Sequence, residues 1–144
     1  MFLADFAPAE KSAFLALARV MMEIDGDVHE QELAMLRRMA ADMELPLADV
    51  ARREPDEAMA CLKDPVSRET ALYELIGLAQ AEGIYKPEER ALVQRCAGAF
   101  GIGATELAKM EAYVQRVMGM IQDEMPAGRL GYFFEGFAAQ RAPR

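Results

Sequence analysis

The sequence predicts an all-α protein, and two observations support this prediction. Apolar residues recur at intervals of three and four along most of the chain, which is the spacing of one helix face. No stretch alternates apolar and polar residues between hairpin turns, as half-buried strands do. With 144 residues, 53% of them apolar, the chain is long enough to bury one core. We therefore expect a single domain over residues 1–144, with about seven helices.

Helix 1 is expected from Pro8, which suits a first helical turn, to about Ile24. Asp25 and Gly26 should end it, because glycine adopts left-handed backbone conformations at little cost. The apolar residues spaced three and four apart should form its buried stripe: Phe14, Leu17, Ala18 and Met21.

Helix 2 should be capped by Asp27 together with Glu30. The apolar face of this helix should consist of three methionines four residues apart: Met35, Met39 and Met43. Two short spacer helices should follow, at residues 47–53 and 55–62, because a proline precedes or begins each of them.

Helix 5 should begin at Asp64-Pro65 and stop at Gly83, and helix 6 should run from Pro87 to Phe100. The buried residues of helix 5 should be Leu72, Leu75, Ile76 and Ala79. A closing helix at 104–122 should pack along both halves of the chain through Leu107, Met110, Val114, Val117, Met118 and Ile121. The C-terminal segment 123–144 is rich in glycine and aromatic residues, and should either fold back over the bundle or bind a partner.

Two acidic loops share one pattern at an offset of 57 residues. Each has an acidic residue, a glycine and then a glutamate six residues later: Asp25, Gly26 and Glu32 in the first loop, Glu82, Gly83 and Glu89 in the second. Apolar positions of the flanking helices coincide at the same offset, as Leu15 and Leu72 do. We therefore expect two helix-loop-helix repeats, about 8–45 and 64–102, joined by a spacer at 46–63 and related by a pseudo-twofold axis.

The acidic loops predict a divalent cation site, although not an EF-hand. The first position of an EF-hand loop is normally a carboxylate, whereas here it is Met21 or Leu78. If the two repeats bring their loops together, four carboxylates gather and repel each other unless a cation neutralises them. These candidate ligands are Asp25, Glu32, Glu82 and Glu89, and calcium is the favoured metal. The alternative is structural, because acidic residues also favour turns and the first turn of a helix without any ligand.

The residues around both loops resemble the TerB family of tellurite-resistance proteins and its TerB-like relatives. The resemblance lies in Ala79-Gln80-Ala81-Glu82-Gly83-Ile84-Tyr85 with Glu89, and in Ile24-Asp25-Gly26-Asp27-Val28 with Glu32. It covers about residues 13–102. It implies a compact bundle of about seven helices, an acidic surface that binds divalent metal, and association with bacterial stress-response or membrane-linked complexes. At the second loop the chain has Glu82 where the family more usually has aspartate.

Charge and composition narrow the remaining function classes. The chain has 24 acidic and 16 basic side chains, a net charge of −8, which disfavours nucleic acid and anionic lipid as partners. Its start lacks a basic and apolar leader, and its longest apolar run is interrupted by Arg19 and Glu23, so we expect a cytoplasmic protein without membrane insertion. Cys61 and Cys96 should be reduced, since two isolated cysteines do not form a disulfide framework.

Catalytic signatures are scarce. The dinucleotide-binding fingerprint lacks its third glycine after Gly101 and Gly103, and no phosphate-binding loop or nucleophile elbow occurs. We therefore expect a non-enzymatic protein that binds a cation and a protein partner. Two alternatives stay open: a metal-free module for protein interaction, and an enzyme that uses carboxylates alone.

Overall fold

A computed structural model describes residues 3–24, 26, 30–45, 53–80 and 85–124. A short 3₁₀ turn at Leu3–Asp5 precedes six α-helices in these residues. The helices are α1 Pro8–Glu23, α2 Glu30–Asp42, α3 Pro55–Cys61, α4 Pro65–Gln80, α5 Pro87–Ala99 and α6 Ala104–Glu124. No strand occurs in this part of the chain, and the all-α prediction is confirmed.

Proline marks the start of four of these helices. Pro8, Pro55, Pro65 and Pro87 each occupy the first helical position, where the missing amide hydrogen is not needed. The spacer helix predicted at 55–62 is observed as α3, Pro55–Cys61. The first predicted spacer helix, at 47–53, lies outside the described residues except for Arg53, which is not helical.

The core is built around α1 and α4. Helix α1 packs against α2, α3 and α4, and α4 packs in turn against α5, α6 and the 3₁₀ turn. The predicted stripes of α1 and α4 are buried, and so are Met39 and Met43 of α2. Helix α6 buries Leu107, Met110, Val114, Val117 and Met118 as predicted. Its main contacts are with α4 and to a lesser extent α5, so it packs chiefly on the second half of the chain, not evenly on both.

Two residues of the N-terminal segment join this core. Leu3 and Phe6 are buried, and the Phe6 ring packs edge-on against Phe14 of α1 with 6.4 Å between ring centroids. No helical period is visible in these residues, because the 3₁₀ turn is too short to show one. None of the helices described is long and apolar enough to cross a membrane.

Helices α2 and α5 end in the same way. The amide of Leu45 donates to the carbonyl of Ala40 at 2.8 Å, and the amide of Ile102 donates to the carbonyl of Ala97 at 2.8 Å. The residue before each donor has a left-handed backbone, with φ 57° at Glu44 and φ 74° at Gly101. These are the bonds and dihedral angles of a Schellman turn.

We expect Glu44→Gly to stabilise the protein by about 0.5–1 kcal/mol, because Glu44 adopts a positive φ that favours glycine. The reciprocal change, Gly101→Glu, should destabilise the protein by about 1 kcal/mol. Urea unfolding of both variants measures these changes. A loss of stability in Glu44→Gly would mean that the Glu44 side chain contributes more than its backbone strain costs.

Cys61 and Cys96 are both free thiols, as predicted, but they differ in their exposure to solvent. Cys61 is half-buried at the end of α3, where the Arg53 guanidinium donates to its sulfur at 3.6 Å. Cys96 of α5 has no exposed surface, and burial raises its pKa to about 12. Nearby Arg95 lowers this pKa and Asp56 raises it, both by less than burial does.

Native protein should therefore react with a thiol reagent at Cys61 only. At pH 8, a pKa of about 12 leaves about one Cys96 thiol in ten thousand ionised, and the thiolate is the nucleophile. Mass spectrometry after brief alkylation should show one modification in native protein and two after unfolding. Equal labelling of both cysteines in native protein would contradict the buried position of Cys96.

Candidate functional site

Each of the two acidic loops joins two consecutive helices. The first connects α1 to α2, between residues 23 and 30, and the second connects α4 to α5, between residues 80 and 87. In the first loop Gly26 has φ 94°, and its amide donates to the carbonyl of Glu23 at 2.9 Å. This confirms that Gly26 provides the left-handed residue that ends α1.

The four predicted metal ligands are described to different extents. Asp25 and Glu82 lie outside the described residues, as does the side chain of Glu32. The backbone of Glu32 forms the third residue of α2, and Glu89 is the third residue of α5. Of the four, Glu89 is the one whose side chain the structure places.

Glu89 stabilises the start of α5. Its Oε1 accepts a hydrogen bond from the backbone amide of Lys86 at 3.1 Å. Glu10, the third residue of α1, does the same for the amide of Ala7 at 3.3 Å. A carboxylate at this position satisfies an amide that the helix leaves without a partner, and it interacts favourably with the helix dipole. Glu89 therefore has a structural role whether or not it binds a cation.

A cluster of Tyr85, Arg90 and Glu111 lies beside Glu89. The Arg90 guanidinium carbon is 4.4 Å from the centroid of the Tyr85 ring, which is a cation–π contact. Nη1 of Arg90 is 3.8 Å from Oε2 of Glu111, so the two charges attract without a short hydrogen bond. The cluster joins the start of α5 to α6.

The cluster keeps Tyr85 protonated. Burial raises the pKa of Tyr85 well above its ordinary value, and the adjacent Glu111 carboxylate raises it further, outweighing the opposite effect of Arg90. Neither the Tyr85 hydroxyl nor Oε2 of Glu111 has a hydrogen-bond partner of good geometry among the residues described. A tyrosine in this state provides packing surface and a neutral donor, not a general base.

The acidic residue at the end of α1 is also paired. Oε1 of Glu23 lies 2.8 Å from Nε of Arg19, one turn earlier, and both side chains are about a quarter exposed. Within the described ranges no three His, Cys, Asp or Glu residues are grouped so that they could hold a metal ion. The predicted site therefore depends on the loop residues 25 and 82 and on the Glu32 side chain.

The sequence prediction did not single out Arg90 and Glu111, although a signal for Glu111 exists. Leu107, Val114 and Met118 form one apolar stripe of α6, and position 111 completes their helical spacing. A glutamate on such a stripe indicates a half-buried charge that needs a partner. Arg90 has no comparable signal, because an arginine in the first turns of a helix is usually solvated.

No protein-family model, no curated protein and no solved structure matches the chain.

Proposed function

We propose that this chain is a non-enzymatic, TerB-like helical protein that binds a divalent cation, calcium first among them, through its paired acidic loops. In this proposal it works in the cytoplasm, in a stress response of the tellurite-resistance type, together with a protein partner. The ligands are Asp25, Glu32, Glu82 and Glu89. The single observation that carries the proposal is the agreement in length and spacing between the helices that flank the two loops.

This agreement supports a pseudo-twofold relation between the halves. Helices α1 and α4 have 16 residues each and begin at positions 8 and 65, while α2 and α5 have 13 each and begin at positions 30 and 87. Both pairs differ by 57, the offset of the acidic motif. The loops are therefore of equal length and leave and enter their helices at equivalent positions, as two halves of one site require.

Contacts made by basic side chains also repeat at this offset. Nζ of Lys11 donates to the carbonyl of Met43 at 3.1 Å, which joins the start of α1 to the end of α2. In the second half the equivalent pair is Arg68 and Phe100, and the Arg68 guanidinium lies 5.9 Å from the centroid of the Phe100 ring. A basic residue on the first helix thus meets the end of the second helix in both halves. Such agreement supports a duplicated helix-loop-helix unit.

The experiment compares thermal midpoints of chelator-stripped protein with and without calcium, magnesium, manganese or zinc. A ligand that binds only the folded state raises the midpoint, and a free concentration of 100 times Kd contributes about 2.7 kcal/mol. The test variant is Asp25→Asn with Glu89→Gln. Glutamine keeps an oxygen that can accept the Lys86 amide, so this variant removes charge while the helix cap is retained.

The matched control is Glu88→Gln, which removes an exposed charge from the same turn of α5 without touching the motif. We expect a metal-dependent rise in wild type and in the control, and none in the loop variant. No rise with any metal in wild type would overturn the proposal.

A metal-free module for protein interaction is the second candidate, and the cap made by Glu89 favours it. The hydrogen bond to Lys86 explains why a glutamate stands at this position without any cation. In this case the loop variant should be thermally neutral or stabilised, because like charges have been removed. An enzyme that uses carboxylates alone has no comparable support from the described residues.

A further inference from the structure

Helices α4 and α6 each carry one exposed large apolar side chain. In the described part of the chain the exposed large apolar side chains are Val66, which is 50% exposed, and Met120, which is 48% exposed. Val66 lies seven residues, or about two turns, before Tyr73 on α4, and Met120 lies the same distance after Tyr113 on α6. Residues seven apart share a helix face. We call Val66, Tyr73, Tyr113 and Met120 the tyrosine face.

The two halves of the tyrosine face meet. The rings of Tyr73 and Tyr113 contact edge to face, with 5.9 Å between centroids, and both side chains are half-buried. The Arg116 guanidinium lies 5.9 Å from the centroid of Tyr113. Tyrosine and arginine are the residue types that contribute most often to the binding energy of protein interfaces.

Acidic residues border this face. Burial raises the pKa of Tyr73, and the carboxylates of Glu69 and Glu106, with Tyr113, raise it further because they lie close to its hydroxyl. Two carboxylates, Glu69 and Glu106, and one guanidinium, Arg116, therefore border the aromatic surface, and negative charge is in excess. A segment that binds it should carry apolar or aromatic side chains together with positive charge.

The chain itself contains such a segment. Residues 125–144 follow α6 directly and contain four aromatic residues: Tyr132, Phe133, Phe134 and Phe137. They also contain three arginines and one glutamate, a net charge of +2. Because the whole chain carries −8, residues 1–124 carry −10. The acidic bundle and its basic, aromatic C-terminal segment are complementary.

The connection is long enough. Tyr113 lies 11 residues before the end of α6, about 16 Å along the helix. The eight residues from 125 to 132 span up to about 26 Å when extended. Tyr132 can therefore return to the level of Tyr113 and place the phenylalanines along the face. Covalent attachment also gives the segment a high effective concentration that a separate partner lacks.

We propose that the C-terminal segment 125–144 docks on the tyrosine face of its own chain through its four aromatic residues, Tyr132, Phe133, Phe134 and Phe137. The docked segment covers Val66 and Met120, and its arginines lie towards the acidic border. This inference does not depend on cation binding, since none of the loop ligands belongs to the face. It also implies that a protein partner which uses this face must first displace the segment.

The test is hydroxyl-radical footprinting of the full chain, which measures the solvent access of individual side chains. In the variant Val66→Asp with Met120→Asp, oxidation of the four aromatic residues in 132–137 should rise at least about threefold. A segment that is docked about two thirds of the time exposes these residues for the remaining third, so its full release increases their exposure about threefold. The matched control, Ala34→Asp with Ala91→Asp, adds two charges at exposed positions elsewhere and should leave this oxidation unchanged.

A reciprocal variant tests the face itself. Replacing Phe133, Phe134 and Phe137 by serine should increase the oxidation of Tyr73, Tyr113 and Met120, while Tyr85, which is not on the face, stays constant. Circular dichroism verifies that each variant is folded. The proposal is overturned if neither variant changes these rates. It is also overturned if protection in wild type increases with protein concentration over about a tenfold range, because the occupant is then a second copy.

Discussion

Phe14→Ala should destabilise the protein by about 3–5 kcal/mol. Phe14 has no exposed surface, lies at the centre of α1 and packs edge-on against Phe6. Its removal leaves a cavity between helices that are held by several neighbours, so the surrounding side chains cannot collapse to fill it. Phe14→Leu should cost less, since leucine fills part of the space.

Urea unfolding followed by circular dichroism measures both changes. The control is Gln94→Ala, an exposed substitution on α5 that should stay within about 0.5 kcal/mol of wild type. A loss in Phe14→Ala as small as that of the control would contradict the central position of α1 in the core.

Leu15→Ala and Leu72→Ala should each destabilise the protein by about 2–5 kcal/mol. These leucines are 57 residues apart, which is the offset of the acidic motif, and neither has exposed surface. Because α1 and α4 pack against each other and each contacts the helix that follows its acidic loop, we expect similar losses at the two positions. The same unfolding experiment compares them.

The paired leucines also test the duplication. Losses that agree within about 1 kcal/mol support equivalent packing in the two halves. A large loss at one leucine and almost none at the other would show that only one half forms the stable core, and would weaken the case for a pseudo-twofold site.

Helix positions could be predicted from this sequence because strong local signals mark them. Prolines begin four helices, the glycines Gly26 and Gly101 follow α1 and α5, and the buried stripes of α1, α4 and α6 have clear helical spacing. Packing was harder to predict, because a stripe shows that a helix face is buried but not which neighbour covers it. For this reason α6 was expected on both halves, whereas it lies mainly on α4.

For the candidate site, the sequence indicates the acidic residues but not the contacts that surround them. The motif identified Glu89 as an acidic position, but its bond to the Lys86 amide depends on a helix beginning at Pro87, and its neighbour Glu111 is 22 residues away in the chain. Contacts between distant segments, such as Arg90 with Glu111 and Tyr73 with Tyr113, have no local sequence signature. These contacts join the start of α5 to α6 and hold together the two halves of the tyrosine face.

The Glu89 cap gives one carboxylate of the second acidic motif a structural role. A carboxylate at the third helical position stabilises the helix start through one oxygen. A cation that binds the folded arrangement of these carboxylates, and not the unfolded chain, would raise the stability of the folded state by mass action. Cation binding and folding stability should therefore be linked in this protein, which makes stability a sensitive indicator of binding.

Equilibrium dialysis against calcium measures directly whether the paired acidic loops bind a divalent cation. The amount of calcium bound per chain should be at least one in the wild type and in Glu88→Gln, and it should fall to zero in Asp25→Asn with Glu89→Gln. The claim is contradicted if the wild type binds no calcium at a free concentration in the millimolar range. It is also contradicted if the loop variant binds as much calcium as the wild type.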